Sequence, residues 1–214
     1  MKEESPREHD PYQNLKVISA VNTGDFESDP FASFLPSKPS RVLDLPDFED
    51  DFYKQLLDWN PQTNKIAVGL SDSVYLWDHR SKKSEFLHEF RVQEELCSLK
   101  WDPSGSQLAF GMSSGQVQIW DVHRKCLVSD FWTHDLRIGA LDWTRNGLFS
   151  GSKDTQIRFF DPRSIQPTAL EFQCHSRQIL NLKVSPRDGL NLLSCGNDSQ
   201  VFVTDLRRHE SPMF

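Results

Sequence analysis

The chain has 214 residues, of which 37% are apolar and 11% aromatic, and it carries a formal net charge of -7. This length supports one sizeable core, and the acidic balance disfavours nucleic acid as a partner, because binding to phosphates requires a basic face. No apolar run is long enough for a membrane helix, and the first residues lack the apolar stretch of a signal peptide. We therefore expect a soluble protein of the cytoplasm and/or the nucleus.

The four cysteines, Cys97, Cys126, Cys174 and Cys195, are widely separated and form no C-x-x-C pair. A zinc site needs closely spaced thiols or histidines, so we expect neither a metal nor another cofactor. Reduced cysteines that pack as small apolar side chains are typical of intracellular proteins.

Residues 1–40 combine charges of both signs with scattered proline and show no sustained apolar period, which predicts a disordered N-terminal arm. Residues 41–50 are interpreted as an opening strand with its linker, and residues 209–214 as a short tail. Beyond about residue 50, short runs of β-branched and aromatic residues alternate with turn-forming clusters. This texture predicts strands joined by tight turns.

Two motifs recur with a period of about 42 residues, which is the length of a WD-type propeller blade. The first is an L-x-W-like motif at residues 57–59, 99–101, 141–143 and 182–184. The second ends in a W-D dipeptide that is intact twice and altered twice, at residues 74–78, 117–121, 157–161 and 201–205. Small residues between the two motifs suit inner strands that pack closely around a channel. The predicted blades are residues 51–92, 93–134, 135–175 and 176–208.

Two histidines each precede a blade that contains a serine and, four residues after it, an aspartate. The two sets are His134, Ser150, Asp154 and His175, Ser194, Asp198. A Ser-His-Asp catalytic triad is one interpretation, but no nucleophile elbow or oxyanion site accompanies either set. We interpret both as hydrogen-bond networks that satisfy buried polar groups and tie a loop to its blade. No group of residues indicates an enzyme.

The chain reads R-V-L-D-L-P at residues 41–46, D-F-Y at 51–53 and L-D-W at 57–59. With R-I-G-A-L-D-W at 137–143 and G-N-D at 196–198, it resembles the fizzy and fizzy-related family, the activators of the anaphase-promoting complex. Its divergence elsewhere resembles that of meiotic, cortex-like members. The family propeller has seven blades, so the fold expected here is an all-β, partial WD-repeat propeller of about four blades.

The resemblance implies binding of degron peptides, with ligase subunits and cyclin-like, degron-bearing proteins as partners. It implies that Leu43 and Asp44 receive the destruction box, and that Asp44 pairs with the arginine of that peptide. It also implies a face for the KEN box, where an acid meets the lysine and an aromatic ring supports its stem. The residues of that face are Asp51, Phe52, Asn197 and Ser199, and Ser199 stands where the family usually has a second Asn.

The sequence also departs from the family. It has no D-R-Y-I-P-like C-box in residues 1–40 and no terminal Ile-Arg, the two segments by which activators dock on the ligase. A regulatory or decoy scaffold that binds partners without activating the ligase is therefore an alternative, and an unrelated WD adaptor is another. With four blades, the outer face of blade 4 and the first face of blade 1 are expected to expose apolar surface.

Overall fold

The computed structural model describes residues 41–91, 94–164 and 170–207. The chain divides into two compact units, Met1–Asp44 and Leu45–Phe214, and the strands of the described residues lie in the second. The predicted arm at residues 1–40 and the tail at 209–214 lie outside the described residues. No described segment forms a helix that could cross a membrane.

The described residues form fifteen strands in four sheets, one sheet for each blade. Blade 1 contains β1 Leu57–Asn60, β2 Lys65–Leu70, β3 Ser73–Asp78 and β4 Lys83–Glu89. Blade 2 contains β5 Leu96–Trp101, β6 Gln107–Met112, β7 Gln116–Asp121 and β8 Cys126–Trp132. Blade 3 contains β9 Ile138–Trp143, β10 Leu148–Ser152, β11 Ile157–Phe160 and β12 Leu170–Phe172. Blade 4 contains β13 Ile179–Val184, β14 Asn191–Gly196 and β15 Val201–Asp205.

Each sheet is an antiparallel meander that begins at its inner strand, and the inner strands β1, β5, β9 and β13 follow one another as neighbours. The expected all-β, WD-type blade architecture is confirmed. Three apolar cores hold consecutive blades together, and each core combines residues of two blades. In the second core, Val117 and Ile119 of blade 2 lie with Leu141 and Phe160 of blade 3, all at most 2% exposed.

The aspartate of the W-D motif has a local role in every blade. Asp78, Asp121 and Asp205 end the third strand and Asp161 directly follows it, and the Oδ1 atom of each accepts the backbone N–H two residues later, at 2.7–3.0 Å. A carboxylate that accepts such bonds closes the turn that follows the third strand. The backbone N–H of Arg80 accordingly lowers the pKa of Asp78, although slight burial opposes the shift. This role in the turn explains why blades 3 and 4 keep the aspartate of the motif although its tryptophan is replaced.

The opening strand predicted within residues 41–50 does not form: these residues contain one turn and no strand pairing. A strand needs a neighbouring strand to satisfy its backbone groups, and none of the described strands pairs with the backbone of this segment. The first paired residue after it is Gln55, which bridges to Ser98 of β5 in the parallel sense.

Candidate functional site

The upper face is the end of the sheets at which the inner strands begin. Four residues stand at one equivalent position of this face, each four places before the Leu of the inner-strand motif. They are Tyr53, Glu95, Arg137 and Gln178. Because the inner strands are neighbours, this position brings one side chain from each blade to the channel mouth.

Three of these side chains form a continuous row of contacts, from Tyr53 through Arg137 to Gln178. The guanidinium carbon of Arg137 lies 4.7 Å from the centroid of the Tyr53 ring, in cation–π geometry. The Nη2 atom of Arg137 donates to Gln178 Oε1 at 2.9 Å. Asp51 adds a carboxylate, since its Oδ2 lies 3.9 Å from Arg137 Nη1 and its Oδ1 accepts the Tyr53 N–H at 2.8 Å. The group thus presents a negative and a positive charge side by side.

Asn197 joins this group from the far end of the chain. Its Nδ2 donates to the hydroxyl of Tyr53 at 3.5 Å, and its backbone N–H donates to the Gln178 carbonyl at 2.8 Å. The upper-face cluster consists of Asp51, Tyr53, Arg137, Gln178 and Asn197. The structure therefore brings together Asp51 and Asn197, which the sequence analysis assigned to one face.

Phe52 and Ser199 flank the cluster. The side chain of Phe52 is 78% exposed, and its ring meets that of Tyr53 edge to face at 5.4 Å. Ser199 is exposed at the turn between β14 and β15, where its φ is 64°. An exposed aromatic ring beside a carboxylate offers an apolar and a polar contact to the same ligand.

Two donors of the cluster are unused within the described part of the chain. The Nε atom of Arg137 and the Nε2 atom of Gln178 are buried and make no hydrogen bond there. Buried donors are normally paired, because each unpaired one costs about 1–3 kcal/mol. The cluster therefore has hydrogen-bonding capacity that its own side chains do not satisfy.

Residues 49–55 are fixed onto blades 2 and 4. The ammonium of Lys54 contacts Glu49 at 2.5 Å and Glu95 at 2.6 Å, and its side chain is 2% exposed. Burial opposes the charge, but the two carboxylates outweigh it and raise the pKa of Lys54. Gln55 pairs with the backbone of β5 through its own N–H and carbonyl, and its Nε2 donates to Leu180 O at 2.9 Å. These contacts position Asp51 and Phe52 at the channel mouth.

The two histidine networks have matching geometry. His134 Nδ1 lies 2.9 Å from Asp154 Oδ2, and its Nε2 lies 2.8 Å from Ser150 Oγ. His175 contacts the nearer oxygen of Asp198 at 3.0 Å and Ser194 Oγ at 2.9 Å. Both rings are buried. Ser150 and Ser194 are buried as well.

The remaining sequence-based assignments concern the first unit and metal binding. Leu43 and Asp44, assigned to the destruction box, end the first compact unit, and both are exposed. Within the described ranges, no group of three or more His, Cys, Asp or Glu side chains could hold a metal ion.

Comparison with known proteins gives consistent matches. A family model described as the anaphase-promoting complex subunit 4 WD40 domain matches residues 57–146. Protein FIZZY-RELATED 1 of Arabidopsis thaliana is 41% identical, over 83% of this chain and 39% of its own length. Meiotic fizzy-related protein 1 of Schizosaccharomyces pombe is 40% identical, over 80% of this chain and 40% of its own length. Anaphase-promoting complex subunit cdc20 of Dictyostelium discoideum is 38% identical, over 80% of this chain and 34% of its own length.

A chain in the crystal structure of a mitotic checkpoint complex matches this fold with a TM-score of 0.78 and 37% identity, over 83% of this chain and 55% of that one. The chain thus spans 34–40% of the length of these three curated relatives. By sequence and by blade structure, this chain is a WD-repeat protein similar to the members of the fizzy and fizzy-related family.

Proposed function

We propose that this chain is a substrate-recognition protein related to the activators of the anaphase-promoting complex, and that it binds degron peptides in cell-cycle or meiotic control. The convergence of Asp51, Phe52 and Asn197 at the channel mouth supports this proposal. The Asp51 carboxylate pairs with the lysine of a KEN-type peptide, and the Phe52 ring packs along its stem. Asn197 and Ser199 offer hydrogen bonds to backbone or amide groups. The function is binding, without catalysis.

The test is a titration of a fluorescent KEN-box peptide into the full chain, followed by anisotropy. Asp51→Ala removes a charge-assisted bond worth about 1.5–3 kcal/mol, so affinity should fall about tenfold or more. Asp50→Ala is the matched control, because Asp50 is the neighbouring exposed acid and does not belong to the cluster. Equal affinities for the two variants would contradict the assignment.

The destruction-box assignment has its own test. Asp44→Ala should weaken a destruction-box peptide about tenfold, because an arginine–carboxylate pair is lost, and it should leave a KEN-box peptide unaffected. An unchanged affinity for the destruction-box peptide would remove Asp44 from the site while leaving the KEN assignment intact.

A second candidate function uses the same upper-face cluster: a regulatory scaffold that binds degrons without delivering them to the ligase. Co-purification from dividing cells distinguishes the two functions. Recovery of ligase subunits with the chain supports the activator, whereas recovery of degron-bearing proteins alone supports the scaffold.

A further inference from the structure

The sequence directly before Tyr53 is strongly acidic. Glu49, Asp50 and Asp51 stand close before Tyr53, and the exposed ring of Phe52 immediately precedes it. An enzyme with a basic substrate groove and an apolar pocket selects such a segment by charge and shape complementarity. The segment therefore has the composition that a tyrosine kinase with this kind of groove recognises.

The backbone around Tyr53 can be presented to such an enzyme. Residues 46–54 contain two turns and no strand, and Tyr53 itself is half-buried. The backbone N–H groups of Tyr53 and Lys54 donate within the segment, to the side chain and the carbonyl of Asp51. A segment without ladder hydrogen bonds opens locally at a low cost in free energy. Tyr75, in contrast, lies inside β3, where its backbone pairs with the strands on both sides.

The surroundings of the Tyr53 hydroxyl contain hydrogen-bond donors for a phosphate. The hydroxyl accepts a hydrogen bond from Asn197 Nδ2 at 3.5 Å, and the guanidinium of Arg137 stacks on the same ring. The buried Nε of Arg137 and Nε2 of Gln178 find no acceptor among the described residues. A phosphate group brings three strong acceptor oxygens, and arginine is well suited to pair with them. The site thus offers a cation and amide donors to the group that phosphorylation adds.

We propose that Tyr53 is a phosphorylation site, and that its phosphate lowers the affinity of the upper-face cluster for degron peptides. The Tyr53 oxygen forms a bond to the terminal phosphorus of ATP while the bond from that phosphorus to the bridging oxygen breaks. ADP leaves, and the hydroxyl proton passes to the catalytic base of the kinase. The site rests on the residues before and around Tyr53, whereas the effect on affinity rests on the proposed function.

The added charge opposes an acidic side chain of the bound peptide. Arg137 is the cation of the cluster, and a phosphate with a charge of about -1.5 to -2 pairs with it. In a KEN-box peptide, a glutamate follows the lysine that Asp51 receives, and this glutamate then faces the phosphate. The phosphate also occupies the amide of Asn197. Attraction between the phosphate and the peptide lysine offsets only part of this loss, because that lysine already has a carboxylate partner.

The first test identifies the modified residue. The full chain is incubated with a recombinant tyrosine kinase domain that prefers acidic substrates, together with Mg²⁺ and ATP, and mass spectrometry locates the phosphate. We expect the phosphate on Tyr53. Asp50→Lys should slow the reaction about tenfold, because it reverses a charge that the kinase recognises. Tyr75→Phe is the matched control and should leave the rate unchanged.

A free peptide of residues 46–56 shows whether the kinase reads the segment at all. Failure to modify this peptide would overturn the proposal, because the acidic run would then not be recognised. Modification of the peptide but not of Tyr53 in the folded chain would also overturn it, as would equal rates for Asp50→Lys and the wild type.

The second test measures affinity by the anisotropy of a fluorescent KEN-box peptide. Phosphorylation should weaken binding to the wild type about tenfold, and a phosphatase should restore it. A peptide with glutamine in place of the glutamate should lose clearly less affinity. A Tyr53→Phe chain treated with the kinase should keep the affinity that it had before treatment. Equal affinities of the wild type before and after phosphorylation would overturn the effect on binding.

The Arg137 side chain provides a measurement that does not depend on degrons. Its Nε–H signal in a heteronuclear NMR spectrum should shift when the wild type is phosphorylated, and it should not shift in Tyr53→Phe. A chain that binds no KEN-box peptide before modification would contradict the proposed function alone, and the Arg137 signal would then decide whether the phosphate engages the cluster. An unshifted signal in a chain fully phosphorylated at Tyr53 would overturn the proposal.

Discussion

At the scale of single residues, buried polar side chains hold in place the loops that precede the inner strands of blades 3 and 4. His134 is 4% exposed, and both of its ring nitrogens have partners, Asp154 on one side and Ser150 on the other. Asp154 also accepts the backbone N–H of Asp135 and of Gln156. One carboxylate therefore joins the approach to β9 with the turn that follows β10.

Asp154→Ala should destabilise the chain by about 1–3 kcal/mol, because it leaves the buried His134 and two backbone donors without their acceptor. Asp135→Ala, at an exposed neighbouring residue, should change the free energy of unfolding by less than about 0.5 kcal/mol. Urea unfolding followed by tryptophan fluorescence measures both, and equal midpoints for the two variants would contradict the structural role of the network.

Only part of the candidate site could be predicted from the residues themselves. Asp51 and Asn197 were identified because they stand in motifs that resemble a known family. Tyr53, Arg137 and Gln178 were missed because each alone is an ordinary residue before a strand. The repeat alignment contained the signal, since all three stand four places before the inner-strand Leu. Their mutual contacts depend on the closeness of the inner strands, which a linear sequence does not display.

At the scale of the structural element, the turns after β10 and β14 share a dependence on pH. Burial alone would raise the pKa of Asp154 and of Asp198, but hydrogen bonds from the histidines and from backbone N–H groups outweigh it and lower both. A carboxyl whose pKa is lower in the folded state stabilises the fold above its unfolded pKa. That contribution is lost as the pH falls through the folded value.

The free energy of unfolding should therefore fall progressively below about pH 4, the ordinary range of an aspartate. A double variant, Asp154→Asn with Asp198→Asn, should be less stable at pH 7 and should show a flatter decline between pH 4 and pH 2. Unfolding curves across this range provide the measurement. Parallel pH profiles for the variant and the wild type would show that these two carboxyls are not responsible.

The segment at residues 49–55 depends on the contacts of Lys54. Lys54→Met keeps the length of the side chain but removes both ion pairs, so the amide of Gln55 should exchange with solvent about tenfold faster. The affinity for a KEN-box peptide should also fall, because Asp51 and Phe52 are no longer held in position. Lys83→Met, at an exposed lysine of β4, should change neither quantity. Hydrogen exchange and peptide anisotropy together check the prediction, and slow exchange in Lys54→Met would contradict it.

The strands of the blades could be predicted from the sequence, whereas the strand predicted within residues 41–50 does not form. Inside a blade, alternating apolar residues and turn-forming clusters act locally, and each strand pairs with its neighbour in sequence. None of the described strands pairs with residues 41–50, and a β-like sequence alone is insufficient to form a strand. Leu43 and Asp44 accordingly lie in residues with strand-like composition but no strand.

At the scale of the whole molecule, equivalent positions of different blades differ sharply in burial. The same substitution should therefore change the free energy of unfolding by different amounts. Val117→Ala should cost about 2 kcal/mol, because Val117 is fully buried at a blade junction. Val201→Ala, at the same position of blade 4, should cost little, because Val201 is 67% exposed. Urea unfolding measures this difference, and equal costs for the two variants would contradict it.

The contacts of the upper-face cluster join residues that are far apart in the sequence, and this separation determines when the cluster forms during folding. The ion pairs between inner strands of adjacent blades, Asp58–Lys100 and Asp142–Lys183, join residues 42 and 41 positions apart. Consecutive blades can therefore associate soon after each is made. Gln55 reaches Leu180 across 125 positions, and Asn197 reaches Tyr53 across 144. Contacts of such separation form late, because a long loop must close first. During synthesis the cluster is therefore completed only after blade 4 has left the ribosome, and a nascent chain has no complete upper face with which to capture a partner.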